Sequence, residues 1–186
     1  MKRLLAIFAV LLLAVSASAC APQPTTLQSR VTDDSPAAVT VYAYEPDNEP
    51  TYGLLYLGHA FLSFENRSQQ PFAIGAITLA PGESCSLGTW SMSHHFDIWY
   101  NIESKYIDAA GKYGGRVSLT KEMPLACLDA VNAYIAAHDK WSLTTNCARF
   151  ASDIFNLVDG DRIDLSGLAT PTRLAKTIRA FDAHEI

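Results

Sequence analysis

Two short segments of the chain carry residue types that nucleophilic enzymes use. His59 stands near the start of segment 58–64, Gly-His-Ala-Phe-Leu-Ser-Phe, whose alternation predicts a strand. Cys147 stands in segment 145–151, Thr-Asn-Cys-Ala-Arg-Phe-Ala, which predicts the first turn of a helix. A thiolate is favoured there because the unpaired N–H groups of a helix N-terminus and a neighbouring imidazolium both carry positive charge. We therefore predict that Cys147 is a nucleophile and that His59 is its general base.

Two further side chains are candidates for supporting roles. Asn146 could donate its amide to an oxyanion beside the sulfur, and an ordinary helix-capping role explains it equally well. Glu103 is our first choice for the group that orients the imidazole, because a carboxylate best stabilises an imidazolium–thiolate pair. A solvated carboxylate at a strand end is the alternative. The other candidates for the orienting group are Asn101, His95, Asp97 and Ser63.

The sequence His94-His95-x-Asp97 also raises the question of a metal site. Adjacent residues of a strand point to opposite faces, so His95 and Asp97 share a face but His94 does not. Two ligands without a third make a poor metal site. We therefore predict neither a metal nor another cofactor.

The N-terminal segment predicts export. Lys2 and Arg3 precede an apolar run, 4–15, which is short for a membrane span, and small residues follow at 16–19. We predict a signal peptide at 1–19. Residues 17–19 fit ordinary signal-peptidase cleavage, and residues 18–20 resemble a bacterial lipobox; both leave Cys20 first.

We favour lipid attachment at Cys20, which would anchor the protein to a membrane. The lack of an Asp after Cys20 is compatible with the outer membrane, and the predicted location is periplasmic or cell-surface, with a secreted soluble protein as the alternative. Residues 20–37 are polar and rich in proline, so they predict a tether. Residues 38–186 then form one domain.

Composition excludes some classes of protein. Hydrophobic residues make up 49% of the chain and aromatic residues 10%, so the domain can bury a core. The net charge is −5 and there is no basic stripe, so we expect no nucleic-acid partner. Oligomeric state is left open. The pairing of Cys85 with Cys127 is also open: they could form a disulfide in an oxidising compartment, or both could be reduced and buried.

Strands dominate the first part of the predicted domain and helices the second, which favours an α+β fold. The predicted strands are 39–44, 54–65, 72–79, 95–103 and 116–119. The predicted helices begin at Pro124, at Thr144 or Thr145 as the capping residue, and at Thr170.

Gly-His-Ala-Phe at 58–61, followed much later by Asn-Cys-Ala-Arg-Phe at 146–150, resembles the permuted NlpC-like papain-fold enzymes. That group includes lecithin retinol acyltransferase. The stretches 88–90 and 98–103 also resemble those of secreted bacterial proteins of this type. The resemblance covers residues 52–180. It implies a circularly permuted papain-like domain, an antiparallel sheet followed by helices, with His59 as base and Cys147 as nucleophile.

The predicted function is an envelope thiol hydrolase, a cysteine peptidase or amidase. Peptidoglycan stem peptides lie within reach of a tether anchored at Cys20, so an amide bond in such a peptide is the expected target. One alternative is an acyl ester or lipid hydrolase, or an acyltransferase, on the same scaffold. The other is a binding or structural envelope lipoprotein without turnover.

Overall fold

A computed structural model describes residues 36–45, 58–91, 97–103 and 117–183. The predicted signal peptide, Cys20 and nearly all of the predicted tether lie outside these residues. So do His94, His95 and the first part of the predicted strand at 54–65. The described part is a mixed α+β structure, which confirms the predicted class.

A five-stranded antiparallel sheet has its strands in the order β6-β5-β2-β1-β7, with β2 at the centre. A separate antiparallel pair consists of β3 and β4. The strands are β1 (Ala37–Tyr44), β2 (His59–Asn66), β3 (Phe72–Ile74), β4 (Ile77–Leu79), β5 (Ser84–Thr89), β6 (Ile98–Tyr100) and β7 (Val117–Glu122).

Two predicted strands differ from the structure, and one strand was missed. The predicted strand 72–79 is a hairpin, because Gly75 takes a left-handed backbone (φ 55°) and turns the chain. The predicted strand 95–103 ends at Tyr100, because Asn101 has φ 60°. Strand β5 was not predicted, since its sequence, Ser-Cys-Ser-Leu-Gly-Thr, has little of the β-branched and aromatic content typical of strands.

Three α-helices are present in the described part, as predicted. They are α1 (Leu128–Ala137), which follows a 3₁₀ turn (Leu125–Cys127), α2 (Cys147–Leu157) and α3 (Pro171–Ala183). The predicted threonine cap of α2 is wrong: Asn146 is the capping residue, and its side-chain oxygen accepts from Arg149 N at 3.0 Å. No helix in these described ranges is long and apolar enough to cross a membrane.

The core lies between one face of the sheet and the helices. Alternate residues of β2, namely Ala60, Leu62 and Phe64, pack with α2, while His59 and Phe61 lie on the other face. Cys85 and Cys127 are both buried in the molecule as free thiols. The structure therefore has the reduced alternative rather than the disulfide, and burial raises the pKa of Cys85 to about 12.

Candidate active site

His59 is the first residue of the central strand and its imidazole is enclosed by aromatic rings. Gly58 precedes it with φ 78°, a backbone conformation that glycine adopts without steric cost. The Trp90 ring lies over the imidazole, with 4.0 Å between ring centroids, and the Phe61 ring lies at 5.9 Å. Only 5% of His59 is exposed to solvent. The ring is therefore held in one place and shielded from water.

Glu103 contacts His59 directly. Its Oε1 atom lies 3.0 Å from His59 Nε2, and the carboxylate is 1% exposed. Trp90 Nε1 donates to the same oxygen at 2.8 Å, and Ser86 Oγ donates to Oε2 at 3.1 Å. Burial alone would raise the pKa of Glu103, but the contact with His59 and the bond from Trp90 lower it. A buried carboxylate is thus fully hydrogen-bonded and kept ionised.

A tight turn after β6 brings Glu103 to this position. Asn101 has a left-handed backbone, its N–H donates to Ser86 O at 2.9 Å, and its side-chain oxygen accepts from Ser86 N at 3.1 Å. Asparagine tolerates this conformation better than most residues. The turn therefore places Glu103 beside β5 and His59 instead of continuing the strand outward.

Gly88 on β5 leaves the space that Glu103 and His59 occupy. A Cβ atom at Gly88 would lie 2.9 Å from Glu103 Oε1, 3.1 Å from Phe61 Cβ and 3.4 Å from His59 Nε2. The first two separations are shorter than ordinary contacts. Glycine at this position therefore permits the close approach of the carboxylate to the imidazole.

Cys147 completes the arrangement from the helix side. It is the first residue of α2 and is partly exposed, and its side chain interacts with the His59 ring and raises the pKa of the imidazole. Because Glu103 occupies Nε2, Nδ1 is the ring nitrogen left for the sulfur. Burial lowers the pKa of His59, but the bonds to Cys147 and Glu103 outweigh it and raise the pKa to about 9. The imidazole is therefore charged at neutral pH when the sulfur is a thiolate.

The side-chain amide of Asn146 is hydrogen-bonded to backbone groups on both its nitrogen and its oxygen. Its amide nitrogen donates to Leu143 O at 3.2 Å and to Ala169 O at 2.8 Å, and its oxygen caps α2. Both amide hydrogens are committed, so the geometry favours the capping alternative. No described residue accepts a hydrogen bond from the N–H groups of Cys147 and Ala148, which remain as donors at this helix end.

The other candidates for the orienting group lie elsewhere. Asp97 accepts from Trp99 Nε1 at 2.9 Å, Asn101 bonds Ser86, and Ser63 pairs with Ser86 and Thr40 in the sheet ladders. His95 is outside the described residues. Within those residues, no group of three His, Cys, Asp or Glu side chains could hold a metal ion.

Sequence reasoning missed the roles of Ser86 and Trp90. Ser86 lies in the strand that was not predicted, so the local sequence did not indicate that its hydroxyl donates to Glu103. The local sequence around Trp90 likewise does not indicate that its indole N–H donates to Glu103. A signal was available in both cases: a buried carboxylate requires donors, and the indole N–H is always a donor.

Comparison with known proteins adds no relative. No protein-family model matches the chain. No curated protein and no solved structure matches it either.

Proposed function

We propose that this chain is a thiol hydrolase with Cys147 as nucleophile, His59 as acid–base group and Glu103 as the positioning residue. The observation that carries the proposal is that one buried imidazole interacts on one side with the Cys147 side chain at a helix N-terminus and is bonded on the other to a buried carboxylate, which two more donors hold. The order of these groups along the chain, together with an antiparallel sheet followed by helices, supports a circularly permuted papain-like fold.

The proposed reaction starts with proton transfer from the Cys147 sulfur to His59 Nδ1. The thiolate attacks the carbonyl carbon of the substrate, and the negative oxygen that forms is stabilised by the free N–H groups at the start of α2. The imidazolium then gives its proton to the leaving amine or alcohol, which departs and leaves a thioester on Cys147. Water, deprotonated by His59, attacks the thioester, releases the acid and restores the thiol.

Glu103 has a defined role in this cycle. It accepts the Nε2–H of His59, which fixes the ring orientation and leaves Nδ1 facing the sulfur. Its negative charge, in a water-poor site, stabilises the imidazolium in the ion pair and contributes to the raised pKa of His59. The indole of Trp90 covers this contact and donates to the same carboxylate oxygen.

For the substrate, we propose an amide bond in a peptide, with peptidoglycan stem peptides as the first candidates. The support is the predicted signal peptide at 1–19 and the predicted lipid anchor at Cys20, which would hold the domain beside the cell wall by the tether at 20–37. An ester of an acyl group, cleaved or transferred, is the second candidate. An exposed apolar residue near the start of α2 favours it: Leu143 is 72% exposed, and its carbonyl oxygen accepts from Asn146, the residue before Cys147.

The proposal is tested by measuring how fast iodoacetamide alkylates Cys147 as a function of pH, in the mature chain, with each cysteine located by peptide mass. A catalytic pair requires rapid alkylation near neutral pH, with a midpoint well below the ordinary thiol value of about 8.5. Replacement of His59 by alanine is expected to move the midpoint up toward that value. Cys85 and Cys127 are internal controls, since both are buried and should stay unreacted in the folded protein.

A midpoint near 8.5 or above in the native chain, unchanged by His59→Ala, would refute the catalytic pair. The protein would then be the third kind considered, a binding or structural envelope lipoprotein. If the pair is present, release of peptide from purified sacculi and hydrolysis of a fluorogenic ester separate the amide and ester candidates.

A further inference from the structure

The imidazole of His59 lies among three aromatic side chains in the part of the chain that the structure describes. The distance from its ring centroid is 4.0 Å to Trp90, 5.9 Å to Phe61 and 6.1 Å to Tyr44. Only 5% of His59 is exposed, so water hydrates little of the ring. Aromatic groups therefore replace most of the water that would surround an exposed imidazole.

The sheet places these rings around His59. Phe61 follows two residues later in β2, so both side chains leave the strand on the same face. Tyr44 lies directly opposite His59 in the register of β1 and β2. Trp90 comes directly after β5, the strand that pairs with β2 on its other side. The aromatic contacts thus come from three neighbouring strands and depend on their register.

Two of the three rings lie closer to parallel with the imidazole than to perpendicular. The angle between ring planes is 24° for Phe61 and 38° for Trp90, whereas it is 67° for Tyr44. Rings at low angles meet through their faces, and an aromatic face carries partial negative charge. A cation within about 6 Å of the ring centroid is attracted to such a face, most strongly to that of tryptophan. A protonated His59 satisfies this distance for Trp90 and for Phe61.

An enclosure that only excluded water would have the opposite effect on the charge of His59. Burial favours the neutral form of a histidine and lowers the pKa of His59. Among the described residues, the charged or ionisable groups that act on the imidazole are Glu103, which follows β6, and Cys147 on α2. The contacts from β1, β2 and the end of β5 are rings, of which Tyr44 alone has an ionisable group.

We propose that Trp90 and Phe61 are positioning residues that stabilise the protonated form of His59 through the faces of their rings, independently of the charge of Glu103. The proposal rests on the proposed role of His59, which must be protonated when the leaving group departs. Trp90 then acts twice, because its indole N–H also bonds Glu103. Phe61 acts through its ring alone, and Tyr42, stacked on it at 4.8 Å and 15°, supports that ring.

The direction of one pKa change distinguishes attraction from exclusion of water. The pKa of His59 is measured by NMR titration of the mature chain carrying Cys147→Ala, so that no thiolate contributes, and its signal is assigned by its loss in His59→Ala. If the ring of Phe61 attracts the imidazolium, Phe61→Leu should lower this pKa by about 0.5. If the ring only excludes water, the smaller leucine admits water and the pKa should rise.

Phe64→Leu is the matched control. Phe64 is a phenylalanine of the same strand and is fully buried like Phe61, but its side chain lies on the other face, in the core. The pKa of His59 should stay unchanged in this variant. In Glu103→Gln, Phe61→Leu should still lower the pKa by about the same amount, since the ring acts independently of the carboxylate charge.

Two variants of Trp90 separate its ring from its N–H group. Trp90→Leu removes both and should lower the pKa of His59 by about 1. Trp90→Phe restores a ring without the indole donor, so it should recover part of that decrease. The same pKa in the two variants would overturn the role of the ring face at this position.

An unchanged or raised pKa in Phe61→Leu, with the fold intact by circular dichroism, would overturn the proposal for Phe61. An equal decrease in Phe64→Leu would also overturn it, because loosened packing would then explain both results. Failure of the proposed function is recognised separately. In that case alkylation of Cys147 in the native chain would be slow near neutral pH, whereas the pKa values above are measured without that thiol.

Discussion

Replacement of Glu103 by glutamine removes the negative charge of the buried side chain and keeps its shape. His59 Nε2 and Trp90 Nε1 both bond Oε1, whereas Ser86 bonds Oε2. A glutamine with its oxygen at the Oε1 position still accepts from both ring donors. Its NH₂ group, at the Oε2 position, can donate to the Ser86 hydroxyl, which can also act as an acceptor. Every hydrogen bond can therefore survive while the negative charge is lost.

The magnitude follows from the bond that loses its charge. A hydrogen bond to a charged partner contributes about 1.5–3 kcal/mol, compared with about 1 kcal/mol for a neutral pair. The difference is about 0.5–2 kcal/mol, and it appears as a decrease of about twofold to thirtyfold in kcat/KM where the imidazolium exists mainly in the ion pair and in the transition state. Glu103→Ala should cost more, because it also leaves the buried Trp90 and Ser86 donors without their partner.

The pH dependence gives the sharper result. The pKa of His59 is about 9, and Glu103 is one of the groups that raise it, so Glu103→Gln lowers it. Departure of the leaving group needs protonated His59, so turnover of a fluorogenic ester should decline above about pH 9 in the native chain. In the variant that decline should begin at lower pH. Alkylation by iodoacetamide needs only the thiolate, so its rate should show no alkaline decline, and its midpoint should move to higher pH in the variant.

Glu65→Gln is the matched control. It neutralises a different glutamate, in β2, which pairs with Arg67 at 2.7 Å near the end of the strand opposite His59. This variant should leave the rate and the pH profile unchanged. Ester turnover in Glu103→Gln that declines at the same alkaline pH as in the native chain, with the fold intact by circular dichroism, would refute the reasoning that the carboxylate charge stabilises the protonated form of His59.

Three further predictions concern neighbouring features. Gly88→Ala places a methyl group 2.9 Å from the Glu103 carboxylate and should displace the carboxylate. The value of kcat/KM should then fall about as much as in Glu103→Gln. The double variant should have a kcat/KM little below that of either single variant, because both changes act on the same contact between Glu103 and His59. Trp90→Phe keeps the ring but removes the indole donor to Glu103, so kcat/KM should fall about threefold to tenfold; an unchanged value would show that the indole N–H is dispensable. Burial lowers the pKa of Lys121 to about 8 in the folded chain, whereas an unfolded lysine has a pKa of about 10.4. Between these two pH values the unfolded chain binds more protons than the folded chain. The free energy of unfolding should therefore rise with pH in that interval. Urea unfolding should show that the free-energy difference between the native chain and Lys121→Met shifts by about 3 kcal/mol across it; a constant difference would contradict the lowered pKa.

His59 and Cys147, the pair proposed to react, could be chosen from the sequence because the elements that carry them follow local patterns. Alternation along β2 indicates a strand at His59, and a polar residue before an amphipathic run indicates a helix start at Cys147. The choice of Glu103 among five candidates could not be made from local pattern. It depends on the left-handed backbone of Asn101, which ends the short strand β6. The role of Ser86 required the register of β5 against β2, which is a tertiary property.

The outcome for Asn146 shows why a residue type beside a nucleophile is weak evidence of catalysis. An asparagine before a helix caps it in many proteins, and here the same side chain also bonds two loop carbonyls. Those bonds consume the donors that an oxyanion would need. The sequence shows only that an amide is near the sulfur, whereas the carbonyl groups that bind the amide come from residue 143 and from residue 169.

Hydrogen bonds from side chains hold both ends of helix α2. Two charged residues near it, Lys121 and Glu103, are buried, and their burial has different explanations. At its C-terminal end, the Lys121 amine donates to Phe155 O at 3.1 Å and Val158 O at 3.0 Å, so it satisfies carbonyls that the helix leaves free. Glu103 satisfies no orphan backbone group of the helix: its partners are the side chains of His59, Ser86 and Trp90 and its own backbone N–H. A buried charge is seldom the most stable solution, since apolar residues of similar volume can pack as well or better. The carboxylate is therefore explained by what it does to His59 rather than by what it adds to the stability of the fold.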